Sequence, residues 1–432
     1  MDTPVPIPNT EVKHPHADGT TVSRGRVGSR RIFLFSLTNP WYPCRMSAVR
    51  FIAYKGLQNL LLIYPVYTLL FQFSGLSLEQ VSLLLAIWSV PVVLFEIPSG
   101  ILSDRWSRKG MLVLSSLLKI CCFLFWMLGS TFLSFALGFI AWGLAEAFAS
   151  GSEEALLYDS LKRDGQEERF DTVYSQSQAV ASLCVGISCL AGGFFVDHFG
   201  FSFVLFSSLI VSVLALLLVL GFQEANLFKE NPSQHEVTSW ATLCEALHLL
   251  IHSPKMLSLA ALMIIPLSVS GILDEYDPLI ASSYGLGSTA IGLWVGGRYF
   301  LEALGSSMAT RLHRLGSHAA LFLSLLAALL LLCVGWFQAV SLLPLYFLFY
   351  FLCSSAAMIQ ETVLQHQIES QGRSTVHSVV SLATNLHAIM VFSLLGFFSK
   401  LGTIILFLGF YMLFSSGFIG LLQCAASSKK AQ

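Results

Sequence analysis

Charge is scarce in this sequence. Of 432 residues, 11% are Asp, Glu, Lys or Arg, and the formal net charge is -1. A soluble domain carries about a quarter charged residues, so a soluble globular chain is excluded. Cysteines at metal or redox spacing are missing as well. The nine Cys are scattered, Cys121 and Cys122 are adjacent, and no C-x-x-C occurs. Neither structural disulfides nor zinc are therefore expected; Cys inside apolar segments read as small packing units. No G-x-x-x-x-G-K-[ST] loop is present, which argues against an ATP-driven pump. Eleven His residues form no H-E-x-x-H pattern. His377 and His387 can sense protons, or simply pack. No cofactor, no metal, no nucleic-acid partner and no catalytic constellation is expected.

What is abundant is apolar sequence, 55% of the chain. It comes in repeated runs of bilayer-spanning length. The first six spans are read at about 48–73, 80–103, 109–129, 132–159, 173–195 and 201–222. The second six lie at about 256–280, 288–309, 317–337, 340–363, 376–398 and 401–424. Residues 1–45 are polar and carry Arg24, Arg26, Arg30 and Arg31, with only the short apolar run Ile32–Leu37. They read as a flexible cytoplasmic tail and not as a cleaved signal. Residues 425–432 read as a second cytoplasmic tail. Residues 223–255 form the one long internal loop. Asn231-Pro232-Ser233 interrupts it, and Trp240, Leu243, Leu247, Leu250 and Ile251 then share one helical face. An amphipathic helix on the cytoplasmic membrane surface is expected there. It separates an N-terminal six-helix bundle (46–222) from a C-terminal one (256–424).

Basic residues set the orientation. They occur in the tail, in the loops after spans 2, 4, 6, 8 and 10, and at Lys429 and Lys430, whereas the opposite loops carry Lys400 as their exception. Both termini are therefore expected in the cytoplasm. A weak repeat relates the halves: Arg105 and Arg108 return as Arg311 and Arg314, and Glu154 returns as Glu361, about 206 residues later. Thr310 stands where the second copy of Asp104 would be.

The loop after span 2 reads Gly100-Ile-Leu-Ser-Asp104-Arg105-Trp-Ser-Arg108-Lys109, preceded by Glu96-Ile-Pro98-Ser. Gly100 allows close helix packing. Asp104 suits a helix N-terminus. Arg105, Arg108 and Lys109 hold the loop in the cytoplasm and can pair with neighbouring acids. This run resembles the signature between helices 2 and 3 of the major facilitator superfamily, roughly G-x-L-x-D-R-x-G-R-K, with Ser107 in place of the usual Gly. The resemblance implies twelve transmembrane helices in two pseudo-symmetric six-helix bundles that alternate access to a midplane site. The run from Gly151 to Leu161 resembles the helix 4 ending of efflux-type subgroups. That likeness implies gating, with Glu154 and Asp159 pairing with the basic loop. The antiporter motif of helix 5 is matched only in part, by Gly186 and Gly192-Gly193 without a Pro between them; glycines at a helix interface read the same way.

Charges inside the spans are costly and therefore informative. Lys119 and Glu146 reach roughly 15–20 Å inward by separate counts at about 1.5 Å per residue. They read as a proton or substrate site, or as a buried structural pair. Lys55, Gln58 and Asn59 share one face of span 1; Lys55 can snorkel, while Gln58 and Asn59 can face a cavity. Arg298 and Glu302 are four apart on span 8 and can pair along it. Asp274, Glu275 and Asp277 crowd the outer end of span 7, facing the cavity or a solvated helix end. The expected function is secondary transport of a small organic solute through a plasma (inner) membrane by a monomer, with proton-coupled efflux first. Uptake by symport or uniport is the alternative, and a transporter-like sensor or scaffold is the reading of another class.

Overall fold

The computed structural model describes residues 43–150, 152–223, 253–315, 318–366 and 373–428, which form helices and no strands. The N-terminal tail up to residue 42, the expected amphipathic helix of the linker and the last four residues lie outside the described residues. The helices are α1 (Pro43–Asn59), α2 (Tyr67–Phe73), α3 (Leu78–Arg105), α4 (Arg108–Leu128), α5 (Phe132–Ala149), α6 (Ser152–Arg163) and α7 (Phe170–Leu220). They continue as α8 (Pro254–Ser283), α9 (Ser288–Leu312), α10 (Ala319–Phe337), α11 (Leu343–His366), α12 (Arg373–Leu395) and α13 (Leu401–Ser428). Among the described residues, eight stretches are long and apolar enough to cross a bilayer by length and composition.

The thirteen α-helices among the described residues group into the twelve crossings of the fold, and the chemistry of a few residues explains the difference. Pro65 lacks the N–H that an unbroken helix would need, so α1 and α2 are separated by a short 3₁₀ turn at Tyr64–Val66. Together they form one crossing. The fourth crossing is α5 followed by α6. Helix α7 holds two crossings and turns at Gly200, where φ is 77°. An L side chain rarely adopts that conformation, and glycine has no Cβ to oppose it.

Polar caps fix the starts of the apolar helices. Ser77 and Gln80 form a capping box at α3, and Thr131 with Ser134 forms one at α5. Ser253 caps α8 just before Pro254. Each cap satisfies backbone N–H groups that a bilayer could not. Exposed large apolar side chains such as Leu128, Phe206, Phe300 and Phe414 give the exterior that lipid tails require.

Two six-helix bundles result. In the first, α1 packs on α7, and both α3 and α4 pack on α5. In the second, α11 packs on α8, α9 and α10, and α13 packs on α10. The bundles meet along α7 with α9 and along α3 with α12. The α7–α9 crossing is very close. A Cβ on Gly193 would stand 1.9 Å from the Ser288 carbonyl oxygen, and one on Gly292 would stand 2.3 Å from that of Cys189. Gly192 likewise presses on the Leu62 carbonyl, at 2.2 Å from where its Cβ would be. Close packing is thus the use made of this glycine pair. Gly100 behaves differently from expectation: a Cβ there would meet nothing within 4 Å.

Candidate functional site

The signature loop is a tight turn between α3 and α4. Ser107 is extended (φ -169°) and its hydroxyl accepts from the Gly110 N–H at 2.8 Å, capping α4. The departure from the family's Gly therefore supplies an N-cap in place of a left-handed turn. Arg108 is buried. It pairs with Asp159 of α6 and donates to the Ala155 carbonyl at 3.0 Å. Lys109 donates to the Leu220 carbonyl at the end of α7, at 2.7 Å, where a helix C-terminus favours a cation. The side chains of Asp104 and Arg105 lie outside the described residues. Glu154 is exposed and accepts a hydrogen bond from the Tyr174 hydroxyl.

Deeper in the first bundle lies a cavity of about 380 Å³. Lys55, Gln58, Asn59, Lys119 and Glu146 all line it, with Tyr64, Trp142 and Glu153. Lys55 does not snorkel; it pairs with buried Glu153 at 2.5 Å. Tyr54 also donates to Glu153, at 3.4 Å. Gln58 donates to the Tyr54 hydroxyl, and Asn59 donates to the Lys55 carbonyl at 2.8 Å. Lys119 and Glu146 face the cavity without forming an ion pair. Trp142 bonds to both. The Lys119 ammonium sits 3.4 Å from its ring centroid, a cation–π contact, and its indole N–H donates to Glu146 at 2.7 Å.

The second bundle holds a charge cluster around Arg298, which is 1% exposed. Arg298 pairs with Asp274, approaches Asp277 at 3.0 Å and meets Glu302 at 3.0 Å one turn along α9. Asp277 is fully buried, so the outer end of α8 is not a solvated acidic tip there. Tyr346 and Tyr350 of α11 both donate to Asp277. The Arg298 guanidinium also lies 3.8 Å from the Tyr299 ring centroid. Tyr299 donates to Asp274 at 2.9 Å, and its hydroxyl is 2.9 Å from that of Tyr64. Tyr64 lines the cavity of the first bundle. A hydrogen-bonded path Tyr64–Tyr299–Asp274–Arg298 therefore runs from that cavity, across the interface, into the cluster.

Further cross-bundle contacts lie at the end opposite the signature loop. Tyr276 donates to Ser82 at 2.7 Å. Asp197, in the turn of α7, accepts from the Thr289 N–H at 2.8 Å and from its hydroxyl at 2.6 Å, capping α9. The little burial Asp197 has pushes its carboxyl up, but hydrogen bonds from Thr289 and Ser288 outweigh that and hold it below the usual carboxylate range. Sequence reasoning did not single out Tyr64, Trp142, Tyr299, Tyr346, Tyr350 or Asp197 as site residues. The available signal was polar-tipped aromatics inside apolar spans, which need a partner when buried.

The family model described as Major Facilitator Superfamily matches residues 46–392. The chain belongs to that superfamily. A mutant form of the nucleoside transporter NupG has a similar fold, with TM-score 0.70 at 14% identity, covering 88% of this chain and 99% of that one. A D-xylose-proton symporter is similar at TM-score 0.65 and 13% identity, covering 87% and 96%. So is a bacterial homologue of the human lysosomal transporter Spinster in its inward-facing, occupied conformation, at TM-score 0.64 and 13% identity, over 88% and 97%. At these identities the likeness is one of fold. An uncharacterized transporter of Buchnera aphidicola is 26% identical over 165 residues, 36% of this chain. The match spans about two fifths (39%) of that relative's length. The protein is thus a multi-pass transporter of the superfamily.

Proposed function

We propose that the chain moves a small polar organic solute across the plasma membrane by alternating access, driven by protons. It acts as a monomer with both termini in the cytoplasm. The bundles at 46–222 and 256–424 rock about the cavity, and the Arg108–Asp159 docking of the signature loop, with Gly100, Asp104, Arg105 and Lys109 beside it, forms part of the cytoplasmic gate. The solute binds in the first-bundle cavity, and the Arg298 cluster is the proton site. One observation carries this reading: the Tyr64–Tyr299–Asp274–Arg298 path couples cavity and cluster across the moving interface. The cluster sets three carboxylates against one guanidinium. Full ionisation would leave excess negative charge in a low-dielectric interior, and taking up a proton relieves it. The likeness to a D-xylose-proton symporter supports proton coupling by analogy of fold. Export by antiport and uptake by symport use the same two sites and differ in their order of occupancy.

The test is transport by the purified full chain in proteoliposomes under an imposed pH gradient, with amino acids, sugars, nucleosides and drugs as solutes. A solute whose movement is driven by the gradient, and abolished by a protonophore, supports the proposal. The sign of that movement fixes the direction. Solute movement indifferent to the gradient would contradict proton coupling.

A further inference from the structure

The cavity of the first bundle has a charge pattern that narrows the solute class. Lys55 and Glu153 satisfy each other. Lys119 and Glu146 do not. Each faces the same cavity, and each has Trp142 as its partner among the described residues. The indole holds both: its ring face carries the ammonium and its N–H carries the carboxylate. A cation and an anion that face one cavity without a direct ion pair invite a molecule bearing the opposite pair. The amides add to this. The Gln58 and Asn59 NH₂ groups are engaged by Tyr54 and the Lys55 carbonyl. Both residues line the cavity. An ammonium has three N–H donors, for which the Glu146 carboxylate is the charged acceptor in the cavity.

We propose that this cavity takes a small zwitterion, an α-amino acid or a compound presenting the same ammonium and carboxylate, with its carboxylate on Lys119 and its ammonium toward Glu146. This rests on the transport reading above. The volume of about 380 Å³ lies near the lower end of ligand-site sizes and suits a small solute. Selectivity follows from what a wrong solute leaves behind. A neutral sugar would close the cavity over both charges without answering either. A simple amine or a simple carboxylate answers one. A site built of polar groups rejects analogues that leave those groups unpaired.

The experiment is counterflow in proteoliposomes containing the full chain, with a radiolabelled mixture of neutral α-amino acids as the probe. Competitors are each amino acid, its decarboxylated amine, its deaminated acid, a nucleoside and a sugar. The expected result is amino-acid counterflow in which loss of either charged group weakens competition about tenfold or more. Lys119→Met should erase the preference for amino acid over amine. Glu146→Gln should erase the preference for amino acid over acid, with Lys119→Arg retaining counterflow. The wild-type competition series carries the test even where a variant fails to fold. Counterflow of the nucleoside or sugar with none of the amino acids would overturn the zwitterion and leave the transport reading standing. Absence of counterflow for every solute, with monodisperse protein, would overturn both.

Discussion

Arg298 sets the terms for the second bundle, because one guanidinium holds three carboxylates of two helices. Removing it leaves those acids buried without a counter-ion. Arg298→Met should cost about 3–5 kcal/mol, the range for breaking a buried pair, read as a lower thermal midpoint in detergent. Glu302→Gln removes an excess acid and should cost far less, within about 1 kcal/mol. Equal losses in the two variants would mean that the cluster is not held by its cation. Asp197 gives a pH prediction at the other end of the interface. Its carboxyl is held below the usual range while it caps α9. A depressed acid stabilises the bound form above its ordinary value of about 3.9, and that stabilisation is lost as pH falls through the depressed value. The contact should therefore hold from about pH 5 to 8 and loosen only in stronger acid. Spin-label distances between the α7 turn and the start of α9 measure this. Loosening at about pH 6 would contradict the assignment.

Individual helices were legible in the sequence as apolar runs of bilayer-spanning length, and the structure places their starts at the caps Ser77, Thr131 and Ser253. The break at Pro65 was less so. Span 1 reads as one continuous apolar run, although a proline inside it already excludes an uninterrupted hydrogen-bond ladder. Glycines were the least legible. Gly100 and Gly193 look alike in sequence, yet one faces open space and the other lies against a neighbouring backbone. Only the partner decides which. Gly193→Ala would push a methyl group to within 1.9 Å of the Ser288 oxygen, so α7 and α9 must separate at that end. The variant should insert normally but favour the conformation open at the end opposite the signature loop. Increased labelling of a cysteine placed near Tyr284 by an impermeant reagent measures it, and unchanged labelling would contradict it.

At the scale of the whole molecule, the sequence displayed twelve crossings, two related halves and the charges inside them. It could not display which charges meet. Lys119 and Glu146 reach one depth by counting, yet they meet through Trp142 and not as a direct ion pair. Asp277 read as facing either the cavity or a solvated helix end, and two tyrosines and an arginine from other helices enclose it. Those relations depend on helix rotation and on side chains distant in sequence, which periodicity does not encode. The tyrosine path between the halves is of this kind, and the account rests on it most heavily. Its direct test compares solute exchange with pH-driven accumulation in proteoliposomes of Tyr64→Phe and Tyr299→Phe. Each change removes one hydroxyl from the path and leaves the ring in place. The account predicts that exchange persists while accumulation driven by the pH gradient falls about tenfold or more. Accumulation at the wild-type level in both variants would contradict it.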